Sequence, residues 1–303
     1  MAAVRVPVLI VGAGAGGLAT SALLAKHGVR SLVVEKRREV FRYPKARNLS
    51  FRSLEILRGL GLAGEVHAVA DGVSDMVVKP TLSSVEERPA LDVAAVFAGL
   101  AELSPEPPVQ YCPQSRLEPI LLHHLRSRGS RARYGAELMS ITQDAAGVAA
   151  VVRDLDSGRD EQVRADYLVA ADGVHSQVRT ALGVATSGYG PLPIYFVFVY
   201  FRAPWRSLVP RLGDGAAVQV TNSGVDGIFV AAEGDFGMFI TTYFPDHGET
   251  AAQFTEQRCR ELIRCAVGQS INVDILDIAP WQPYERVADT FCCGRVFFVG
   301  DSA

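Results

Sequence analysis

The 303-residue sequence predicts an α/β fold, a mainly parallel sheet flanked by helices, with an α+β insertion built on a mixed, largely antiparallel sheet. Three observations carry this expectation. A strand, glycine turn, helix and strand follow one another over residues 4–35. Two later apolar runs, 167–170 and 296–299, each end in an acidic glycine turn, at Asp172-Gly173 and Gly300-Asp301. Between those runs, residues 187–279 read as successive short strands and a helix.

The first unit opens on an apolar run, 8–11, which reads as a buried parallel strand. Gly12, Gly14 and Gly17 follow in G-x-G-x-x-G spacing. Gly12 permits the tight turn, Gly14 lets a pyrophosphate approach the backbone, and Gly17 lets the helix pack on the strand. Residues 18–26 read as that helix, whose N-terminus offers free N–H groups and the positive end of its dipole to phosphate. Gly28 ends the helix, and 31–34 is a second buried strand that closes on Glu35. An acid about 20 residues beyond such a turn accepts hydrogen bonds from a ribose 2′-hydroxyl, where a 2′-phosphate would be repelled. The unit therefore suits FAD or NAD rather than NADP.

Composition narrows the remaining choices. The net charge of −3 gives no electrostatic reason to expect a nucleic-acid partner. The five cysteines show neither C-x-x-C nor zinc spacing, and an odd count without a secretion signal points to reduced thiols in a cytoplasmic setting. No apolar run approaches the roughly 18 residues of a membrane helix, so no membrane partner is expected. The six histidines have no metal-ligand spacing, and no nucleophilic triad or paired carboxylate stands out.

After Glu35 the chain turns basic, with Lys36, Arg37, Arg38, Arg42, Lys45, Arg47 and Arg52. A solvated surface is the plain reading, but a positive loop beside a pyrophosphate turn also serves a dinucleotide. A helix is expected from Ser53, read as its N-cap, with Leu54, Ile56, Leu57 and Leu60 inward and Gly61 as the stop. Residues 71–108 carry weak alternation and several prolines, and read as a variable excursion over a substrate pocket. Residues 113–128 read as a helix despite Pro119, with Leu117, Leu121, Leu122 and Leu125 as its buried stripe. Strands are expected at 131–141, 148–154 and 161–165. The next strand, 167–170, places Asp172 at a carboxyl end, where ligands of open α/β sheets bind.

The insertion supplies four strands, a helix over 250–267 and a strand over 271–278. Tyr195, Tyr200, Arg202, Gln219, Asn222 and Tyr243 are candidates to line an aromatic-substrate pocket there. The expected organisation is a cofactor domain over 1–186, a substrate-binding sheet domain over 187–279, and a return to the first sheet over 280–303.

Taken in order, the glycine turn with Glu35, PKARNLSFRSLE, PQSRLE, ADGVHSQVR and GRVFFVGDSA resemble the class A flavoprotein monooxygenases, the p-hydroxybenzoate hydroxylase-like aromatic hydroxylases. Within them, the sequence is similar to the bacterial polyketide and phenol hydroxylases. The resemblance implies a Rossmann-like FAD-binding domain and a cytoplasmic enzyme of secondary metabolism. Its FAD would be reduced by transiently bound NAD(P)H, react with O2, and pass oxygen from a C4a-hydroperoxide to a phenolic or polyketide-type ring. Carried to this sequence, it implies Glu35 on the adenosine ribose and Arg47 near the flavin and pyrophosphate; Lys36, the first cation after Glu35, is a further cofactor-binding candidate. It further implies Gln114 at the ribityl region, Asp172 in the FAD and NAD(P)H region, and Gly300 with Asp301 on the ribityl chain.

Two departures stand beside the resemblance. Lys45 replaces an arginine, which keeps the charge but loses the planar fork. The family also continues past the G-D motif over the isoalloxazine ring, so the sequence is expected to be part of a longer protein. Alternative readings are an FAD-dependent oxidase or reductase of the same fold and a non-catalytic fragment. A halogenase is disfavoured because Trp205 and Trp281 form no W-x-W-x-I-P motif.

Overall fold

The computed structural model describes residues 4–40, 46–73, 76–100, 102–209, 216–232 and 234–303; Arg42 and Lys45 lie outside them. The first unit forms β1 (Val4–Val11), α1 (Ala15–Lys26) and β2 (Ser31–Glu35). The helix begins at Ala15, earlier than expected, because Gly14 is its N-cap and the Gly14 carbonyl accepts the Leu18 N–H at 3.0 Å.

Three further parallel strands extend this unit into a sheet. β1 lies between β2 and the long strand Asp160–Ala170; Val296–Phe298 flanks the latter, and Arg131–Tyr134 flanks β2. Side chains on β1 alternate between two cores, as the pleat requires. Val8 and Ile10 pack with α1 and the helix Gln114–Ser127, while Leu9 and Val11 pack with residues of Ala136–Asp144 and Gly147–Asp154. Register aligns the carboxyl ends, with Val11 opposite both Val34 and Ala170, and Ala170 opposite Phe298. The glycine turn, Glu35, Asp172 and Gly300-Asp301 therefore leave the sheet along one edge.

Several element boundaries differ from the sequence expectation, each for a local reason. The expected strand 131–141 divides at Gly135, whose φ of +66° breaks the pleat, so Arg131–Tyr134 pairs with β2 and Ala136–Asp144 with Gly147–Asp154. The runs 161–165 and 167–170 are one strand, Asp160–Ala170. Its first half pairs with Gly147–Asp154 and its end with Val296–Phe298. The helix expected from Ser53 spans Phe51–Gly59, because Ser50 is the cap and its hydroxyl accepts the Ser53 N–H. The helix expected over 250–267 starts at Glu256 behind a Thr255 cap. The strand expected over 271–278 is Asp274–Trp281.

The second sheet has seven strands in the order Asp274–Trp281, Phe196–Arg202, Phe236–Thr242, Asp226–Ala231, Ala217–Thr221, Met76–Lys79 and Arg88–Leu91. The last two come from the 71–108 excursion, and Met76–Lys79 pairs in parallel with Ala217–Thr221. One face packs under the helix Glu256–Val267 around Phe201, Trp205, Phe229 and Phe239. Phe229 is fully buried, with ring centroids 4.8 Å from Phe239 and 5.7 Å from Trp205. Phe229→Ala is expected to cost about 3–5 kcal/mol, measured by urea unfolding; a loss under about 1 kcal/mol would mean this cluster is not the centre of the core. All five cysteines are free thiols. Among the described residues, no helix is long and apolar enough to cross a membrane.

Candidate functional site

A cleft of about 570 Å³ opens at the carboxyl edge of the parallel sheet. Gly12, Gly14, Glu35, Lys36, Gln114, Asp172, Gly300 and Asp301 all line it. Two other sequence candidates do not. Gly17 lies beneath the turn, and Arg47 does not line the cleft although its chain neighbours Ala46 and Asn48 do.

The three glycines serve different ends. Gly12 has φ +104°, and a Cβ there would lie 2.1 Å from the Ala171 carbonyl oxygen. A Cβ on Gly17 would lie 2.0 Å from the Gly12 carbonyl oxygen. Both positions are closed by backbone. At Gly14 the nearest atoms to an added Cβ are Gln114 Nε2 at 3.7 Å and Glu118 Oε1 at 3.9 Å, so the space above it is cleft. No side chain caps α1 at Gly14, and its first turn holds no acid. The positive end of the helix dipole is left to an anion.

Glu35 ends β2 and is buried. Its Oε2 accepts the Ala13 N–H at 2.8 Å, so the carboxylate is tied to the glycine turn. Its Oε1 accepts the Arg37 backbone N–H at 2.9 Å and Arg37 Nε at 3.0 Å. Burial pushes the carboxyl upward, but the bonds from Arg37 and Ala13 and the guanidinium charge outweigh it, and the pKa falls below its ordinary value. Lys36, the residue singled out from the sequence, is exposed at the mouth, whereas Arg37 turns inward. The basic triplet after Glu35 signalled a cation, and strand alternation beyond Glu35 was the clue to which of the three.

The opposite wall is built from the turns after Asp160–Ala170 and Val296–Phe298. Asp172 Oδ2 accepts the Val178 N–H at 3.1 Å. Asp172 Oδ1 is buried and has no hydrogen-bond partner among the described residues. A buried carboxylate oxygen without a donor is costly, and the donor suited to it is a ligand hydroxyl, not a phosphate. Gly300, at φ +64°, turns the chain so that Asp301 is exposed. Ser302, absent from the sequence candidates, is fully buried and donates to the Ala170 carbonyl at 2.5 Å.

Gln114 starts the third side, and its Nε2 donates to Glu118 one turn later. Glu118 is fully buried beneath the glycine turn, a further residue that sequence reading missed, with i,i+4 spacing from Gln114 as its signal. Cys112 also lines the cleft; burial pushes its thiol up to about 11, so it remains protonated and presents a weakly polar surface. The Arg47 carbonyl accepts the Cys112 N–H at 2.8 Å. Burial lowers the Arg47 guanidinium below its ordinary range, against the opposing pull of the Tyr111 and Tyr200 phenols.

Tyr200 links this region to the second sheet. It is buried on the face away from the helix Glu256–Val267, clustered with Val230 and Met238 and flanked by Phe198, Ile228 and Ile240. Burial, reinforced by Asp277 and opposed by Arg47, pushes its phenol up to about 12. Arg202 and Gln219 share that face by strand alternation, although Arg202 is exposed and the Gln219 amide lies 3.4 Å from Asp226 Oδ1. Asn222 and Tyr243 are corrections. The Asn222 side chain closes a turn, accepting the Gly224 N–H and donating to the Pro80 carbonyl. Tyr243 has the opposite strand parity and packs on the helix side, against Tyr195 and Phe254.

The cleft thus offers what the ADP portion of FAD requires: an open glycine cradle, an uncapped helix start and a buried carboxylate beside them. Comparison with known proteins agrees. The FAD binding domain family matches residues 5–303. A putative polyketide hydroxylase of Streptomyces coelicolor is 36% identical over 306 residues, 99% of this chain and 48% of its own length. Aklavinone 12-hydroxylase of Streptomyces peucetius subsp. caesius is 36% identical, over 98% of this chain and 62% of its own. The crystal structure of aklavinone-11 hydroxylase with FAD and aklavinone superposes with a TM-score of 0.87 at 33% identity, covering all of this chain and 58% of that one. The chain spans about half to three fifths of the length of these relatives. It belongs to the FAD binding domain family and is similar over nearly its whole length to polyketide and aklavinone hydroxylases.

Proposed function

We propose that the chain forms the FAD-binding and substrate-facing part of an aromatic hydroxylase acting on a phenolic or polyketide-type ring with NAD(P)H and O2. The observation that supports this most directly is the open space above Gly14, next to the buried Glu35 carboxylate and at the mouth of the parallel sheet. Relatives named as polyketide and aklavinone hydroxylases supply the reaction class.

In this reading FAD supplies the redox chemistry, taking electrons from the nicotinamide and activating O2. The protein binds, orients and excludes water. Gly14 and the start of α1 receive the pyrophosphate, and Glu35 the adenosine ribose. Gln114, Asp172 and Asp301 border the ribityl chain. Residues 187–279, with the two strands from the 71–108 excursion, form the substrate sheet. Its partly buried Phe198 and Ile240, packed beside Met238, give an apolar face suited to keeping water from an aromatic ring. Tyr200 stays protonated to about pH 12, so at neutral pH its hydroxyl donates a hydrogen bond to a substrate oxygen. Arg47 lies close enough to favour a phenolate there.

The test is incubation of the protein with FAD, NADPH or NADH, and a panel of phenols and anthraquinones under 18O2. The expected result is 18O in a hydroxylated product. Hydrogen peroxide in place of any labelled product would move the protein to the oxidase or reductase reading. Tyr200→Phe is expected to lower kcat/KM about tenfold, the worth of one buried hydrogen bond, with FAD affinity unchanged. Equal turnover in the variant would remove Tyr200 from the substrate site.

A further inference from the structure

The parallel sheet has a second recess, at the edge opposite the cofactor cleft. β2 begins opposite Val8, so residues 4–7 of β1 pair with Asp160–Ala170 on one side while β2 does not reach them on the other. The next strand out, Arg131–Tyr134, starts level with Leu32. The stretch that β2 leaves uncovered becomes a notch of about 350 Å³. Val4, in the notch, is separated from Val11, in the cofactor cleft, by the roughly 23 Å that seven strand rises span.

The charges around the notch are unequal. Arg5, Arg30, Arg131 and Arg133 line it, against a single acid, Glu161. Glu161 holds Arg133 in an ion pair. Asp166 lies 3.9 Å from Arg5, but both side chains are exposed, and such a pair contributes little. Arg30 and Arg131 have no hydrogen-bond or ion-pair partner for their side chains among the described residues. Acids are not scarce in this chain, whose net charge is −3. Elsewhere Arg37, Arg52, Arg116, Arg153 and Arg260 each meet a carboxylate. Two uncompensated guanidinium groups at one recess therefore form a local excess of positive charge.

That excess matches a phosphate monoester, which carries about −1.5 to −2 charges at neutral pH and presents three acceptor oxygens. Planar guanidinium groups grip such oxygens in pairs. Val4, Val6 and Pro7 also line the notch, the first two half-buried and the third exposed, and they offer apolar surface to an organic group.

We propose that this notch is a second ligand site, one that takes a small phosphate monoester. Arg30 and Arg131 hold the phosphate, and Val4, Val6 and Pro7 carry the organic group. Glu161 restrains the site by occupying Arg133. The inference stands apart from the FAD reading, because no residue lines both recesses.

The experiment is calorimetric titration with phenyl phosphate and with inorganic phosphate. The proteins are the wild type, Arg30→Gln, Arg131→Gln, the Arg30→Gln/Arg131→Gln double variant, Glu161→Gln and Gly14→Val. Each single arginine variant is expected to bind phenyl phosphate about tenfold more weakly, and the double variant more weakly still. Glu161→Gln is expected to bind it several-fold more tightly, because Arg133 is released to the ligand; this variant keeps the test open if an arginine variant does not fold. Gly14→Val is expected to bind it as the wild type does, because the glycine turn lies at the other edge. Inorganic phosphate should bind more weakly than the ester. A wild type that binds no phenyl phosphate would overturn the proposal, as would weaker binding in Glu161→Gln. Binding lost in Gly14→Val but kept in the double arginine variant would place the phosphate at the glycine turn instead. Equal affinity for the two probes would overturn the assignment to an ester.

Discussion

Gly14→Val is expected to abolish FAD binding while leaving the fold intact. The reason lies in what surrounds the three glycines of the turn. A Cβ at Gly14 meets only side-chain atoms, at 3.7 and 3.9 Å, so added branches extend into the cleft and occupy the space a pyrophosphate needs. A Cβ at Gly17 meets the Gly12 carbonyl oxygen at 2.0 Å. Gly17→Ala is therefore expected to do the opposite, losing at least about 1–3 kcal/mol of stability to overpacking, and losing FAD only because the fold is lost. Thermal unfolding and the visible absorption of the purified variants separate the two. A Gly14→Val protein that purifies yellow, with a full complement of FAD, would refute the placement of the pyrophosphate at this turn.

The second large effect is expected at Glu35. Glu35→Ala removes the acceptor of the Ala13 N–H and leaves Arg37 without its carboxylate, as well as deleting the proposed ribose contact. Hydrogen bonds to a charged group contribute about 1.5–3 kcal/mol, which corresponds to roughly 10- to 100-fold weaker FAD binding. Isothermal titration with FAD checks this, and unchanged affinity would show that the ribose lies elsewhere. The pH dependence has a definite sign. The folded-state pKa of Glu35 lies below its ordinary value of 4.5, so its contribution to stability is fully present above that value. It is lost as pH falls through the lowered folded pKa. Wild type should therefore lose stability in that acid window more steeply than Glu35→Ala, which has no such group to protonate.

The local signals of the chain determined much of this. The strand, glycine turn, helix and Glu35 are contiguous, and their chemistry depends on near neighbours, so spacing identified the unit, and the resemblance of five ordered motifs pointed to the family. Asp172 and Asp301 were legible for the same reason, each following an apolar strand directly. Tertiary structure decided what depends on parity, register and pairing between distant segments. Arg37 rather than Lys36 faces Glu35 because of how the chain leaves β2. Asn222 and Tyr243 leave the candidate pocket because one closes a turn and the other has the helix-side parity. The excursion 71–108 gives strands to the second sheet through a parallel pairing that spans well over a hundred residues of sequence, which periodicity within the segment cannot reveal. Arg179 and Ser302 show the same limit: each stands in a segment legible as a motif, but the bond from the Arg179 guanidinium to the Ser302 carbonyl exists only once two strand ends lie side by side. Sequence specifies which residues each element presents; the packing of the elements determines which of them meet.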